Sequence, residues 1–310
     1  MRACLRALFA LHCPPMRALV LLWVLTGIAL AALVNEVSIK TEGQRRILRS
    51  NGIADHPVGQ FPNRGNPNRI SAQAYEFTLP LKPVLAAQPQ PAAFAFFGVA
   101  INGVPFEAGT GEFWNGNRAW NYEAKGGAIQ LGLDENDAHV QPGGQYHYHA
   151  LPKGLMQRFA QSKGMNLIGW AADGFPIYDG RGHQQPMEAG SPLQPLRSSW
   201  QLKTQNRPGG NDGPGGKPDG SFTADWEYVK GSGDLDECNG RVGVTPEFPQ
   251  GTYHYQVTAS FPFLPRFWRG EPDASFRKKG PPPGGAGPRR GRRGGPGFGP
   301  SPFSPFGPGF

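Results

Sequence analysis

Residues 133–150 read LDENDAHVQPGGQYHYHA and end on Tyr146-His147-Tyr148-His149, the most unusual tetrapeptide in the chain. Successive side chains of an extended strand point to opposite faces. The two tyrosines therefore share one face and the two histidines share the other. This pattern predicts a strand that presents two neighbouring imidazole groups.

A second, weaker copy occupies residues 235–255, LDECNGRVGVTPEFPQGTYHY. Both copies begin Leu-Asp-Glu, pass through a Pro/Gly-rich turn and finish on Tyr-His-Tyr. We interpret them as an internal repeat of one unit, an acidic turn followed by an aromatic-histidine strand. The repeat predicts two related strands that face one site, with His147 or His149 close enough to His254 to share a ligand.

Composition separates the ends of the chain from its middle. The net charge of +8 comes entirely from residues 1–31 and 271–310, whereas residues 32–270 carry equal numbers of acidic and basic groups. The folded part therefore lacks the basic surface of a nucleic-acid-binding domain. Residues 271–310 are rich in Pro, Gly, Arg and Phe, and we predict a disordered tail that at most contacts anionic surfaces.

The N-terminal segment has the pattern of an export signal. Arg17 precedes an apolar run, Ala18 to Val34, which contains the small-x-small sequence Ala29-Leu30-Ala31. We predict that residues 1–34 are a signal peptide, or an uncleaved membrane anchor, and that Met16 is an alternative start. Either reading places the protein in the periplasm or outside the cell, with membrane contact only through this segment.

Alternating apolar residues predict a mainly β, sandwich-like single domain over residues 35–270, with one short helix. Strands are expected at 37–39, 75–79 and 167–172, and a buried strand at 92–101 should turn through Asn102-Gly103 into a hairpin. The helical pattern covers Leu155 to Lys163.

The candidate metal ligands combine imidazole and carboxylate groups on the repeated strands and their turns: His147, His149, His254, His139, Asp134 and Asp173. An H-x-H strand with carboxylates suits Zn, Cu, Fe or Mn. The alternative is a packed core in which each imidazole is hydrogen-bonded to a neighbour. The acidic turns do not match the twelve-residue calcium loop.

Three functions remain open at this point. The residues favour a binding module that holds a transition metal or a small polar ligand. A metal-assisted hydrolase of cell-surface polymers is the second interpretation, although G-x-S-x-G, H-E-x-x-H and C-x-x-C are all absent from the sequence. The third is a structural envelope or matrix protein without a metal.

Three longer strings resemble the YHYH-domain family: Gly169 to Tyr178, Leu133 to His149, and Gly233 to Tyr255. The resemblance covers about residues 35–270. It implies an exported bacterial protein, and it implies no particular activity, because none is established for that family.

The resemblance also bears on Cys238, which is the one cysteine left after removal of the leader. Members of the family tend to carry a cysteine near the position of Phe267, which implies that a bridge to Cys238 is missing in this chain. We therefore predict that Cys238 is a reduced, buried thiol packed beside Phe267.

Overall fold

The computed structural model describes residues 33–278, and within them it contains seventeen short strands, one α-helix and four 3₁₀ helices. The predicted export segment up to residue 32 and the tail from residue 279 lie outside these residues. None of the helices between residues 33 and 278 combines the length and apolar character that crossing a bilayer requires.

The strands are short and spread along the whole described chain. The first eight are β1 (Val37–Glu42), β2 (Arg45–Ser50), β3 (Tyr75–Pro80), β4 (Leu85–Pro91), β5 (Gly98–Ala100), β6 (Pro105–Phe106), β7 (Ala138–Val140) and β8 (Tyr146–Tyr148). The others are β9 (Leu167–Ala171), β10 (Pro176–Tyr178), β11 (Arg181–His183), β12 (Leu193–Pro195), β13 (Trp200–Leu202), β14 (Trp226–Tyr228), β15 (Gly240–Gly243), β16 (Thr252–Gln256) and β17 (Phe267–Gly270).

Helical structure is brief. The α-helix α1 covers Lys153–Met156, and the 3₁₀ helices cover Trp114–Gly116, Gln157–Phe159, Thr223–Asp225 and Ala274–Phe276. The predicted helix over residues 155–163 is therefore too long. Only Leu155 of its apolar residues is fully buried, and one buried side chain cannot hold a longer isolated helix.

Two sheets carry the core. β1, β2 and β3 form an antiparallel sheet, and eight strands form a larger one in the order β15-β16-β10-β9-β5-β6-β8-β7. Leu48 and Phe77 of the small sheet belong to the same hydrophobic cluster as Val99 of the large one. The Arg46 guanidinium of β2 lies 3.4 Å from the ring centroid of Trp170 in β9 and so links the two layers. The predicted β-rich, sandwich-like fold with a short helix is confirmed.

The large sheet consists of two equivalent halves. β5 and β6 form a hairpin, β6 pairs in parallel with β8, and β8 pairs with β7; β9, β10, β16 and β15 repeat these steps. The halves join where β5 pairs antiparallel with β9. The duplication thus includes the hairpins, where Gly98, Ala100, Asn102, Gly103 and Pro105 match Gly169, Ala171, Asp173, Gly174 and Pro176.

Backbone geometry repeats along with the topology. Gly103 and Gly174 have φ values of 82° and 90° in the two hairpin turns, where glycine is the natural occupant. Asp137 and Asn239 have φ values of 52° and 54° in the two acidic turns. Such agreement at unusual backbone conformations shows that the halves are copies of one structural unit.

The two Tyr-His-Tyr strands, β8 and β16, lie toward opposite ends of the large sheet. Five strand-to-strand steps of about 4.8 Å separate them, which is roughly 24 Å. The prediction that His254 shares a site with His147 or His149 is therefore wrong. The copies pack through their central hairpins, and this arrangement keeps their outer strands apart.

The folded region extends beyond residue 270. Phe276 is buried and stacks on Phe77 with ring centroids 4.5 Å apart. Asp273 accepts a hydrogen bond from Arg45 at 2.7 Å. The prediction that disorder begins at residue 271 is thus wrong for residues 271–278, because an aromatic contact and an ion pair fix this polar segment to the core.

Candidate metal centre

Three histidines meet on one face of the β7–β8 hairpin. His139 in β7 pairs directly with His147 in β8, and His149 lies two residues further on the same face. The His149 amide donates to the carbonyl of Asp137 at 2.8 Å, which continues the antiparallel pairing beyond β8. The pairing register alone therefore brings three imidazoles together.

The nitrogen atoms of these rings have the spacing of a metal site. One ligand atom from each of His139, His147 and His149 lies within 4.8 Å of the other two. The Nε2 atoms of His139 and His149 are 3.2 Å apart. Two nitrogens bound tetrahedrally to zinc, each about 2.0–2.1 Å from it, would be about 3.3 Å apart. The His139–His149 pair therefore already has the spacing of two metal ligands, and a nitrogen of His147 lies within 4.8 Å of both.

Backbone carbonyls orient two of the three rings. The Nδ1 atom of His139 lies 3.0 Å from the Leu131 carbonyl oxygen, and that of His147 lies 3.1 Å from the Gln145 oxygen. A neutral imidazole that donates from Nδ1 leaves the Nε2 lone pair free for a metal. The buried Nδ1 atom of His149 has no well-aligned hydrogen-bond partner among residues 33–278, although a backbone contact with Glu107 opposes the lowering of the His149 pKa.

Burial keeps the cluster neutral. Desolvation is the largest cause of the lowered pKa of His139, and it holds the pKa of His147 and of His149 well below the usual 6.5. Repulsion between the crowded rings lowers the pKa values of His147 and His149 further. Neutral imidazole is the form that binds a metal, so the environment prepares these side chains for coordination.

A carboxylate that we did not predict completes the group. Glu107 follows β6, is buried, and its Oε2 lies 3.4 Å from the Nε2 of His147. The same oxygen accepts a hydrogen bond from Gln141 at 2.5 Å, and Oε1 pairs with the Lys278 ammonium. Desolvation raises the pKa of Glu107, and the Lys278 charge opposes that rise. The sequence signal that could have identified Glu107 was an acidic residue directly after the apolar pair Pro105-Phe106.

Hydrogen bonds made by the tyrosines on the opposite face of β8 hold the strand in place. The Tyr146 hydroxyl donates to Asp134 at 2.6 Å, and the Tyr148 hydroxyl accepts from Asn102 at 2.9 Å. His56 Nε2 lies 2.6 Å from the same Tyr148 oxygen. These bonds hold the backbone that carries the histidines, so the tyrosines of the motif position the site without facing it.

Asp134 is not part of the cluster, although we predicted it as a ligand. Its Oδ2 accepts from the Tyr146 hydroxyl and from the Gly59 amide at 2.9 Å, and its Oδ1 accepts from the Asn136 amide at 2.8 Å. These bonds place the carboxylate on the tyrosine face of the hairpin. Asp134 therefore caps the acidic turn.

Asp173 also lies elsewhere, in the turn of the β9–β10 hairpin. Its Oδ2 accepts from the Tyr255 hydroxyl at 2.5 Å and from the Gly270 amide at 2.9 Å. Burial raises its pKa to about 6 against the usual 3.8, and these hydrogen bonds limit the rise. The carboxylate ties β16 and β17 to the hairpin and lies in the other half of the sheet from the histidines.

His254 occupies the position equivalent to His147, yet its surroundings differ. Its Nδ1 lies 3.1 Å from the Thr252 carbonyl oxygen, and its ring packs edge-on against Tyr178 with centroids 5.5 Å apart. Burial, the largest cause, lowers its pKa to about 4. In this half Arg241 stands opposite His254 in the register, where His139 stands opposite His147.

The second half thus lacks most of the donor set. Gln256 follows His254 at the spacing of His149 after His147, and Tyr178 ends β10 where Glu107 follows β6. Three histidines and a carboxylate are replaced by one histidine, an arginine, an amide and a phenol. Within the described residues, the only cluster of three or more potential ligands is His139, His147 and His149.

The fold and the site together define a β-rich protein with a duplicated sheet and, among the described residues, a largely buried trihistidine cluster in one half only. The family described as YHYH protein matches residues 76–270. The chain therefore belongs to the YHYH protein family, as its motifs predicted. No curated protein and no solved structure matches the chain.

Proposed function

We propose that the protein is an exported module that binds one transition-metal ion through His139, His147 and His149. The observation that supports this most directly is the convergence of three imidazoles, two buried and one partly buried, whose ligand atoms lie within 4.8 Å of one another. Glu107 would supply an oxygen ligand or an acceptor close to His147. Nitrogen with carboxylate donors suits Zn, Cu, Fe or Mn, and the donor set does not choose among these metals.

Metal titration of the purified protein tests the proposal. We expect one Zn²⁺ per chain by calorimetry, and bound Co²⁺ should show the visible absorption of a site with nitrogen ligands. The variant His147→Ala/His149→Ala should lose this binding, because one remaining imidazole cannot replace three ligands. Full stoichiometry in that double variant would place the metal elsewhere.

The duplicated half provides the matched control. His254→Gln removes a buried imidazole from the equivalent strand position, outside the cluster. This variant should keep the stoichiometry of the unmodified protein. Glu107→Gln preserves the side-chain size and removes the charge, and we expect it to weaken the metal affinity by about 10–100-fold.

The cavity beside Glu107 bears on the hydrolase alternative. Its volume is about 280 Å³, just below the usual range for small-molecule sites. Because the sequence also lacks the G-x-S-x-G, H-E-x-x-H and C-x-x-C motifs, we favour a binding module over a hydrolase of cell-surface polymers. Assays of the Zn²⁺-loaded protein against such polymers should accordingly show no turnover above that of the His147→Ala/His149→Ala variant.

A further inference from the structure

A positively charged side chain lies at the edge of the histidine cluster. The Lys278 ammonium pairs with Oε1 of Glu107, while Oε2 of the same carboxylate lies 3.4 Å from the Nε2 atom of His147. Glu107 is buried, and Lys278 is partly buried. The carboxylate therefore stands between an ammonium group and the place where a metal ion would bind.

The contact between Glu107 and His147 joins two acceptor atoms. The Nδ1 atom of His147 donates to the Gln145 carbonyl oxygen at 3.1 Å, so the Nε2 atom of the neutral ring carries a lone pair. The ionised carboxylate offers only lone pairs as well. Their separation of 3.4 Å is close to the spacing of about 3.3 Å expected for two ligands of one zinc ion. A metal ion bound by both atoms would turn this repulsion into attraction.

The charge of Lys278 acts on the whole cluster. Desolvation is the largest cause of the lowered pKa values of His139, His147 and His149, and the Lys278 charge lowers all three as well. An ammonium that disfavours a proton on these rings also disfavours a metal cation among them, because the repulsion depends only on charge and distance. A divalent ion is repelled about twice as strongly as a proton at the same distance.

Lys278 follows directly on a well-anchored segment. The Phe276 ring is buried, and its carbonyl accepts a hydrogen bond from the Phe96 amide at 3.0 Å. The Lys278 amide lies 3.5 Å from the Phe94 carbonyl oxygen, which is long for a hydrogen bond. The Lys278 side chain can therefore leave Glu107 while Phe276 keeps the segment on the core.

The ammonium also has room to move. Glu107 and Lys278 both line a cavity of about 280 Å³. The Lys278 ammonium lies 5.4 Å from the centroid of the Phe96 ring, within the distance at which an aromatic face attracts a cation. An ammonium on a flexible stem that leaves Glu107 would keep this contact and gain hydration.

We propose that Lys278 is a built-in competitor of the metal ion, paired with Glu107 in the metal-free protein and displaced when the histidine cluster binds a metal. The displacement lowers the metal affinity, so the ion is exchangeable and not permanently held. This inference rests on the proposed function and adds the regulation of the same site.

Lysine labelling of the full chain measures the displacement. Metal-free and Zn²⁺-saturated protein are treated with an amine-acetylating reagent, and each lysine is quantified by peptide mass spectrometry. Lys278 should react at least about threefold faster after loading, because an ammonium without its carboxylate partner loses a proton more readily. Lys125 is the matched control: it pairs with Asp137 at 2.6 Å, and its side chain is 27% exposed against 23% for Lys278. Its labelling should not change.

Variants measure the effect on affinity. Lys278→Met keeps an unbranched side chain and removes the charge, and its Zn²⁺ affinity in a chelator competition should rise about tenfold, because no ammonium then opposes the ion. Lys278→Arg retains the charge, and Lys125→Met removes a cation that pairs elsewhere, so both should keep the affinity of the unmodified protein. Urea denaturation verifies that Lys278→Met folds, since it leaves Glu107 without its cation.

The outcomes separate this inference from the proposed function. One Zn²⁺ per chain with unchanged Lys278 labelling, or with an affinity that fails to rise in folded Lys278→Met, would overturn the competition and leave metal binding intact. Zinc binding by Lys278→Met alone would support the competition in its strongest form. If neither the unmodified protein nor Lys278→Met binds the ion, both the competition and the proposed function are wrong.

Discussion

At the scale of single residues, burial decides the chemistry of the three clustered histidines. In water an imidazole carries a proton below about pH 6.5 and then cannot bind a metal. Desolvation and mutual repulsion lower the pKa values of His147 and His149 well below that value. The sequence alone predicts that metal uptake weakens as pH falls through about 6.5. The lowered pKa values move this expected weakening to a lower pH.

We predict that the folded protein retains its metal below pH 6.5, while the metal-free protein becomes less stable there. In the unfolded chain these histidines gain protons near pH 6.5, and in the folded chain they gain them only at lower pH. The free energy of unfolding of the metal-free protein should therefore decrease as pH falls below 6.5. Metal affinity and urea denaturation measured across this range check both statements. Metal loss centred at pH 6.5 would contradict the lowered pKa values.

The surroundings of Cys238 determine how reactive its thiol is. Its thiol is buried and free, and burial is the main cause of its raised pKa. Phe267 stacks on Trp200 with ring planes 2° apart, and the Trp200 indole donates to the carbonyl of Glu237, the residue before Cys238. Burial of the thiol is confirmed, whereas direct packing of Cys238 on Phe267 stays a prediction.

Thiol labelling measures the accessibility of Cys238. We expect slow reaction in the native protein and rapid reaction after denaturation, because only the thiolate reacts and burial suppresses it. Phe267→Cys tests the distance to the position of the lost cysteine: formation of a bridge under oxidising conditions would show that the two backbones are adjacent. Rapid labelling of the native unmodified protein would contradict the buried position.

At the scale of elements, the two central hairpins differ at one informative position. Asn102 in the β5–β6 turn donates to the Tyr148 hydroxyl, whereas Asp173 in the β9–β10 turn accepts from the Tyr255 hydroxyl. An amide and a carboxylate thus perform the same task in two copies of one unit. The carboxylate, however, makes its half of the sheet sensitive to pH.

We predict that Asp173→Asn removes a pH dependence of stability. With a pKa of about 6 when folded and 3.8 when unfolded, Asp173 holds a proton in the folded chain that the unfolded chain has released. Its contribution to the free energy of unfolding therefore decreases as pH rises from about 4 to 6, by roughly 3 kcal/mol in all. The variant should gain stability relative to the unmodified protein over that range in urea denaturation. Parallel profiles for the two proteins would show an unshifted carboxyl.

At the scale of the whole molecule, the two halves of the large sheet share their backbone arrangement and differ in their side chains. One half contains His139, His147 and His149, and the other has only His254 at an equivalent position. Since backbone pairing and turn conformations agree between the halves, side-chain identity alone accounts for the difference. The backbone of the second half should therefore be able to hold the same three histidine ligands.

We predict that Arg241→His/Gln256→His creates a second metal site. The new histidines would stand around His254 as His139 and His149 stand around His147, so the Zn²⁺ stoichiometry should rise from one to two per chain. Arg241→Ala/Gln256→Ala is the matched control and should bind one. Thermal unfolding verifies that both variants fold. A stoichiometry of one in the folded double-histidine variant would show that Tyr178, in place of Glu107, blocks the site.

The sequence by itself determined the local pattern. Alternation predicted the Tyr-His-Tyr strands, the paired Leu-Asp-Glu segments indicated the repeat, and Asn102-Gly103 marked a hairpin, because strand alternation and turn chemistry depend on neighbouring residues. The same pattern brought His147 and His149 to one face.

Only the tertiary structure decided which donors meet. The strand order separates His254 from the cluster by roughly 24 Å, turns Asp134 toward the tyrosine face, and brings Glu107 beside His147 from a segment forty residues earlier. Residues 271–278 likewise join the fold through long-range contacts, such as Phe276 on Phe77 and Asp273 with Arg45. Such contacts depend on how strands pair at long range, and the alternation within each strand carries no information about its partner.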